Sequence, residues 1–212
     1  MPRRLSGFPV IILFLSILKG IFVVSLILSL LLWSIPILSF NSNIWLIFQK
    51  RTDVALDLKD VKSYNELITD FFIKGNKLDF LNESEFLHMQ DVRKVLTGLN
   101  AVFTFSFMAL LLNFFYLSKT QKRFVIGMTR KISIGVFLVT LIVSILIMIN
   151  FDWTFLGLHK LVFVKNFIFP GDSLLKILYP DSFFYGLSAL YLLSVLAVSL
   201  AVTIISHRLK LK

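Results

Sequence analysis

Two of the chain's three histidines, His88 and His159, have carboxylates at helical spacing. Glu85 and Asp91 lie three residues before and three residues after His88, so both would neighbour its imidazole ring on a helix. Asp152 precedes His159 by seven residues, or about two helical turns. A carboxylate beside one ring nitrogen fixes the tautomer and raises the basicity of a histidine. The spacing therefore indicates two candidate groups for acid–base chemistry.

The same residues also occur in proteins without any catalytic role, and the sequence lacks the motifs of several other kinds of active site. An acid beside a histidine also occurs on solvated helix faces, and a histidine among aromatic residues is often structural. The absence of cysteine excludes disulfides, thiolate metal sites and a cysteine nucleophile. No HExxH, glycine-rich phosphate loop or GxSxG motif is present. We predict neither a metal nor a cofactor, and we interpret His207, which lies among basic residues, as an interfacial anchor.

The composition is that of an integral membrane protein. Hydrophobic residues make up 57% of the 212 residues, whereas soluble domains have about 45–50% apolar residues. The formal net charge is +10, but the basic residues cluster at the ends of apolar runs, as in membrane-flanking segments. We therefore predict contact with membrane lipids and no nucleic-acid partner.

The apolar runs predict an all-α fold with four transmembrane helices in a single membrane domain, residues 1–212. A span needs about 20 mostly apolar residues. The predicted spans lie at about residues 20–40, 99–117, 132–149 and 184–206. Residues 8–18 are expected to extend the first span or to lie at the interface, and Pro36 is expected to kink its outer end.

Orientation follows from the short basic segments. Residues 1–4, the loop 118–131 and the C-terminal tail carry Lys and Arg without any acid. In a four-span topology all three lie on one side, which the positive-inside rule assigns to the cytoplasm. Both termini are then cytoplasmic, and residues 41–98 and 150–183 form two extracytoplasmic segments of short interfacial helices. His88 and His159 are thus expected on the same face of the membrane.

Local signals place His88 on a helix. Residues 61–74 have apolar residues near the i, i+3, i+4, i+7 pattern, and Gly75 is a plausible C-cap. Asn82 or Ser84 can cap a helix that carries His88 and continues into the second span.

Two motifs make the chain similar to a known family. Residues 81–96, LNESEFLHMQDVRKVL, resemble an E-x-x-H-M-x-D-V motif that precedes the second span. Residues 151–184 resemble an F-D-x-x-F-x-x-x-H…N…D…L…P-x-x-F-F motif that precedes the fourth. Together they resemble the bacterial lipoprotein intramolecular transacylase family, Lit, over nearly the whole chain.

The resemblance implies an acyltransferase of the bacterial cytoplasmic membrane with its active site on the extracytoplasmic face. Its substrate would be a diacylated lipoprotein, whose sn-2 acyl chain moves to the α-amine of the same cysteine to give a lyso-form lipoprotein. We predict that His88 acts as general base and that His159 stabilises the oxyanion and returns the proton, although the roles could be exchanged. Four side chains are predicted to support them: Glu85, Asp91, Asp152 and Asn166.

Two other function classes are compatible with the residues. One is an intermolecular membrane acyltransferase or hydrolase that uses a histidine pair. The other is a non-enzymatic accessory or scaffold subunit of a membrane complex. A transporter is disfavoured because the predicted spans contain almost no ionisable residue to mark a pathway.

Overall fold

The computed structural model describes residues 8–52, 56–163 and 168–210, and all regular elements within these ranges are α-helices. The helices are α1 (Phe8–Leu32), α2 (Ile35–Ser39), α3 (Ser42–Gln49), α4 (Leu58–Lys74), α5 (Glu83–Thr120), α6 (Lys122–Ile149), α7 (Phe151–Val162), α8 (Leu174–Leu178) and α9 (Asp181–Lys210). Four stretches are long and apolar enough to cross a membrane: Val10–Ser39, Glu83–Thr120, Lys122–Ile149 and Asp181–Leu209. The predicted all-α fold with four candidate spans is confirmed.

The first span is interrupted near its proline. Helix α1 ends at Leu32, and α2 begins at Ile35 with Pro36 in its first turn. Proline lacks an amide hydrogen and is pre-organised for the first turn of a helix, so it starts a helix more readily than it continues one. The kink predicted at Pro36 is therefore a break just before it.

The described chain divides into two compact units. The first comprises the described parts of residues 1–33, 101–139 and 195–212. Its interior contains the buried side chains Phe22, Leu26, Leu30, Leu117, Val125, Val136 and Val195. Its surface has large apolar side chains such as Phe105 and Leu112, which are 76% and 68% exposed. Such exposure is costly in water but natural against lipid.

The second unit, residues 34–100 and 140–194 as far as described, contains both candidate histidines. Aromatic and branched side chains form its core: Trp45, Val61, Ile68, Phe71, Phe72, Leu78, Met89, Leu175, Leu178, Tyr179 and Phe183. Burial of such a cluster fixes the short helices α3 and α8 in place, because neither is long enough to be stable alone.

Helix α4 has the predicted amphipathic face and ends. Its buried side chains include Val61, Ile68 and Phe72. Asp57 caps its start by accepting from Lys59 N at 2.9 Å. Gly75 ends it in the left-handed region at φ 82°, with its N–H bonded to Phe71 O. The predicted C-cap is confirmed.

Helix α5 joins the first candidate histidine to the second span, as predicted. Asn82 caps the helix by accepting from the backbone N–H of Glu85 at 3.0 Å. The 38 residues of α5 are about 57 Å long at 1.5 Å per residue, whereas the apolar core of a bilayer is about 30 Å thick. Apart from Lys119 in the last turn, the charged residues of α5 lie in its first twelve residues, so His88 precedes the apolar part that begins near Leu99.

Candidate active site

His88 lies in an aromatic environment on the first turns of α5. Its side chain is only 8% exposed. Its ring centroid lies 4.9 Å from that of Phe163 and 5.3 Å from that of Phe169, both edge-on. Among the described residues, Nδ1 of His88 is buried and has no hydrogen-bond partner. The sequence places a polar, titratable ring among phenylalanines, where a charge is poorly solvated.

The surroundings of His88 hold its ring neutral. Burial lowers the pKa of His88 from 6.5 to about 4, and the nearby His159 lowers it further, while Asp91 opposes this weakly. Burial lowers the pKa because removing water disfavours the charged form of an imidazole. At neutral pH the ring is uncharged and can donate a hydrogen bond from one nitrogen.

His159 lies on α7, which Asn150 starts by accepting from Trp153 N at 3.2 Å. Its Nδ1 is 2.9 Å from the backbone oxygen of Phe155, one turn earlier. A carbonyl oxygen only accepts hydrogen bonds, so Nδ1 must carry the hydrogen. The lone pair of neutral His159 is therefore on Nε2, the nitrogen suited to take a proton. A backbone carbonyl thus fixes the tautomer of His159.

The two rings face each other across a short gap. The ring centroids of His88 and His159 are 6.3 Å apart, and the ring planes differ by 25°. Phe163 contacts both rings, with its centroid 5.4 Å from that of His159. Both histidines line the same cavity, so one bound substrate can reach both rings. The structure therefore brings together two histidines that are 71 residues apart in the chain.

The histidines line a largely apolar cavity of about 670 Å³. Trp45, Phe72 and Leu99 are among the apolar side chains of its wall. Besides the histidines, its ionisable lining groups include Asp152, Lys176 and Asp181. Small-molecule sites are typically apolar cavities of about 300–1,000 Å³ with a few polar groups. The cavity has the composition expected for acyl chains.

Glu85 does not contact the imidazole of His88 through a hydrogen bond, in contrast to the predicted arrangement. Its side chain is 2% exposed. One carboxylate oxygen accepts from the backbone N–H of Asn82 and the other from that of Leu175, each at 3.1 Å. With the bond from Glu85 N to Asn82 Oδ1, the first contact completes a capping box. Glu85 therefore fastens α8 to the start of α5, one turn before His88.

The other predicted supporting residues differ in position. Asp91 forms an ion pair with the exposed Lys94 at 2.8 Å, so it acts on His88 only at a distance. Asp152 lines the cavity, while the Nδ1 hydrogen of His159 points to the Phe155 carbonyl. Asn166 lies outside the described residues. No group of three or more metal-ligating side chains occurs among residues 8–52, 56–163 and 168–210.

A buried polar network, which sequence reasoning missed, supports the cavity wall. Tyr179 Oη donates to Asn65 Oδ1 at 2.9 Å, and Asn65 Nδ2 donates to Gln49 Oε1 at 2.6 Å. Gln49 Nε2 donates to the backbone oxygen of Leu178 at 2.8 Å. Burial raises the pKa of Tyr179, so its hydroxyl remains a donor. A signal existed in the sequence, because Asn65 interrupts the apolar face of α4.

A family model described as lipoprotein intramolecular transacylase Lit matches residues 10–184. The matched range includes both histidines and most of the chain. The chain belongs to the Lit family. The predicted family and enzyme class, a lipoprotein acyltransferase that acts within one molecule, are thereby confirmed.

Solved structures of a Lit protein share the fold. The membrane-integral lipoprotein intramolecular transacylase Lit from Bacillus cereus is 15% identical, with a TM-score of 0.80 over 92% of this chain and 94% of that one. Its variant with one histidine changed to arginine is 16% identical, with a TM-score of 0.75 over 92% and 91%. The corresponding alanine variant is 16% identical, with a TM-score of 0.74 over 91% and 92%. No curated protein sequence matches the chain.

Proposed function

We propose that this Lit protein moves the sn-2 acyl chain of a diacylglyceryl cysteine to the α-amine of the same cysteine. The product is a lyso-form lipoprotein with an N-acyl group and a monoacylglyceryl thioether. The single observation that carries the proposal is the His88–His159 pair, with ring centroids 6.3 Å apart in an apolar cavity. Lit membership supplies the reaction class, and the pair supplies the groups that the reaction needs.

The reaction needs little beyond positioning and proton transfer. An ester is attacked by an amine of the same molecule, so no nucleophile from the enzyme is required. Well-oriented intramolecular reactions reach effective molarities of about 10⁵–10⁸ M. An α-amine has a pKa near 7.7–8.0, so a base must remove a proton as the C–N bond forms. An apolar cavity that holds both acyl chains would orient the ester against the amine.

The roles that the site supports best are the reverse of those predicted from sequence. His159 has its Nδ1 hydrogen fixed by the Phe155 carbonyl, which leaves Nε2 as the proton acceptor. His88, whose pKa is lowered to about 4, is a poor base at neutral pH. Its neutral ring can instead donate a hydrogen bond to the developing oxyanion.

The proposed steps balance. The amine nitrogen attacks the ester carbonyl carbon and gives one proton to His159 Nε2. The carbonyl oxygen becomes an oxyanion that accepts a hydrogen bond from His88. When the intermediate collapses, the bond between the former carbonyl carbon and the glyceryl oxygen breaks, and the departing glyceryl alkoxide takes the proton from His159. The amide and the free hydroxyl are formed without net proton exchange.

The proposed location is the extracytoplasmic face of the cell membrane. The acid-free basic segments at residues 118–131 and 207–212 support a cytoplasmic position for those ends of the helices. The segments with the histidines are then extracytoplasmic, where a lipoprotein's lipidated N-terminus would reach the cavity from the membrane. Membrane lipids and the diacylated lipoprotein are the proposed partners.

An isotopic crossover experiment tests the proposal. Two diacylated lipopeptides would be mixed with the purified protein, one with a heavy peptide and light acyl chains and the other with a light peptide and heavy acyl chains. We expect each N-acyl product to retain its own acyl chain in the mass spectrum. Products with exchanged chains would show an intermolecular acyltransferase, and free fatty acid without N-acylation would show a hydrolase.

A further inference from the structure

A second concave surface lies within the first unit, between the start of α6 and the end of α9. Its volume is about 430 Å³. The residues that line it are Arg130, Lys131, Ile134, Thr203, Ile204, His207 and Arg208. We call this surface the basic groove. None of its residues belongs to the histidine cavity, so the proposed transacylase chemistry does not use it.

The basic groove has no acidic residue near it in the chain. Residues 1–33, 101–139 and 195–212, which make up the first unit, contain no Asp or Glu. Its three permanent cations, Arg130, Lys131 and Arg208, therefore have no carboxylate in their own unit. Unpaired cations beside an apolar phase are costly unless a counter-charge approaches them. A bound anionic ligand would supply this counter-charge.

The basic groove is also apolar on one side. Ile134 lies one turn after Arg130 on α6 and is 40% exposed, and Ile204 lies one turn before Arg208 on α9 and is 46% exposed. Both helices are apolar enough to cross a membrane. Thr203 adds a hydroxyl, whose own hydrogen is bonded to Ser199 O at 2.8 Å. A fitting ligand has an anionic head and an apolar tail.

We propose that the basic groove binds one anionic glycerophospholipid. The phosphate group of the lipid pairs with Arg130, Lys131 and Arg208, and its acyl chains lie along Ile134 and Ile204. Arginine is suited to such a contact because its planar guanidinium group bonds two phosphate oxygens at once. Anionic lipids are enriched in the cytoplasmic leaflet, which is the face that the positive-inside rule gives to these residues.

The alternative is a diffuse electrostatic attraction between the basic loops and the membrane, to which every cation near the surface would contribute equally. The chain offers a matched test of that alternative. Lys119, Lys122 and Arg123 lie in the same basic segment and are exposed, but they do not line the basic groove. Changing these three to glutamine removes the same charge as changing the three cations of the groove.

Native mass spectrometry of the full-length protein in detergent can count bound lipids without a membrane surface. Phosphatidylglycerol, phosphatidylcholine with the same acyl chains and inorganic phosphate would be titrated separately. We expect one phosphatidylglycerol per chain, bound at least about tenfold more tightly than phosphatidylcholine. Inorganic phosphate at the same concentration should not displace it, and displacement would overturn the lipid assignment.

The groove variant Arg130→Gln/Lys131→Gln/Arg208→Gln should bind phosphatidylglycerol about a hundredfold more weakly, at about fivefold for each cation removed. The control variant Lys119→Gln/Lys122→Gln/Arg123→Gln should bind it as the unchanged protein does. The melting temperature checks that the groove variant is folded. A variant with Arg130→Lys and Arg208→Lys keeps the charge but loses the two-oxygen contact, so its affinity should lie between those of the groove variant and the unchanged protein. Equal weakening in the groove and control variants, or no loss in the groove variant, would overturn the proposal.

Discussion

Replacing Glu85 by glutamine should destabilise the second unit far more than a surface charge change does. The carboxylate accepts one bond from Asn82 N and one from Leu175 N, both at 3.1 Å, and the second is fully buried. Glutamine has a single side-chain oxygen, so one of the two N–H groups would face an NH₂ group. An unpaired buried donor costs about 1–3 kcal/mol, and replacing a charged acceptor by a neutral one weakens the bond that remains. The expected loss is about 2–4 kcal/mol.

The assay is the free energy of unfolding from denaturant titration in detergent micelles. Glu83→Gln is the matched control, because Glu83 is exposed in the same first turn of α5. It should cost no more than the loss of a charge at a helix start, about 0.3–1 kcal/mol. Equal losses for Glu83→Gln and Glu85→Gln would refute the conclusion that Glu85 fastens α8 to α5.

Three further perturbations have defined outcomes. In Gly186→Ala the new Cβ would lie 2.6 Å from a ring carbon of Phe48, so a loss of about 1–3 kcal/mol in unfolding free energy is expected. The same change at Gly157, where nothing lies within 4 Å, should cost nothing, and equal losses would contradict this. Tyr179→Phe removes one buried hydrogen bond and should cost about 1 kcal/mol by the same titration; an unchanged free energy would contradict the network. The pKa of His88 is lowered from 6.5 to about 4, so between these pH values the unfolded chain binds a proton that the folded chain does not. The contribution of the neutral ring to stability is therefore complete above pH 6.5 and is lost as the pH falls towards 4. In His88→Asn the melting temperature should vary less with pH over that range, and an unaltered pH dependence would contradict the lowered pKa.

Much of the fold follows from local signals in the sequence. The lengths of the apolar runs predict the four candidate spans, because the thickness of the bilayer core and the rise per residue of a helix together set the number of residues that a span needs. Gly75 at the end of α4 and Asn82 at the start of α5 are also local, because caps need only a few neighbouring residues. The position of His88 on a helix that enters the second span depends on those caps, and it was predicted.

The contacts within the site could not be predicted from spacing. Leu175 is 90 residues from Glu85, and the partner of a buried carboxylate depends on which backbone N–H groups the tertiary fold brings to it. The carbonyl that accepts from the ring of His159 is only one turn away in the same helix. Every helical residue has such a carbonyl within reach, so the sequence does not show whether the side chain adopts the rotamer that uses it. Sequence spacing therefore pointed to Asp152, while the structure uses Phe155 O.

The pairing of His88 and His159 was expected on topological grounds and is a tertiary result. Phe163 and Phe169 contact the ring of His88, and nothing in their sequence positions singles them out. Their effect on the pKa of His88 arises from burial, and burial cannot be assigned to one ring from composition. The lowered pKa of His88 is the feature that favours His159 as the base in the proposed reaction.

The most direct test of the account is the rate at which purified protein converts one diacylated lipopeptide, with no other acyl donor, into its N-acyl lyso-form. His88→Ala and His159→Ala would be compared with the unchanged protein after their melting temperatures confirm folding. General acid–base groups and oxyanion donors each contribute about 10²–10⁴-fold, so we predict losses of at least about a hundredfold for each variant. Rates within about tenfold of the unchanged protein for both variants would contradict the claim that the histidine pair carries out the acyl transfer.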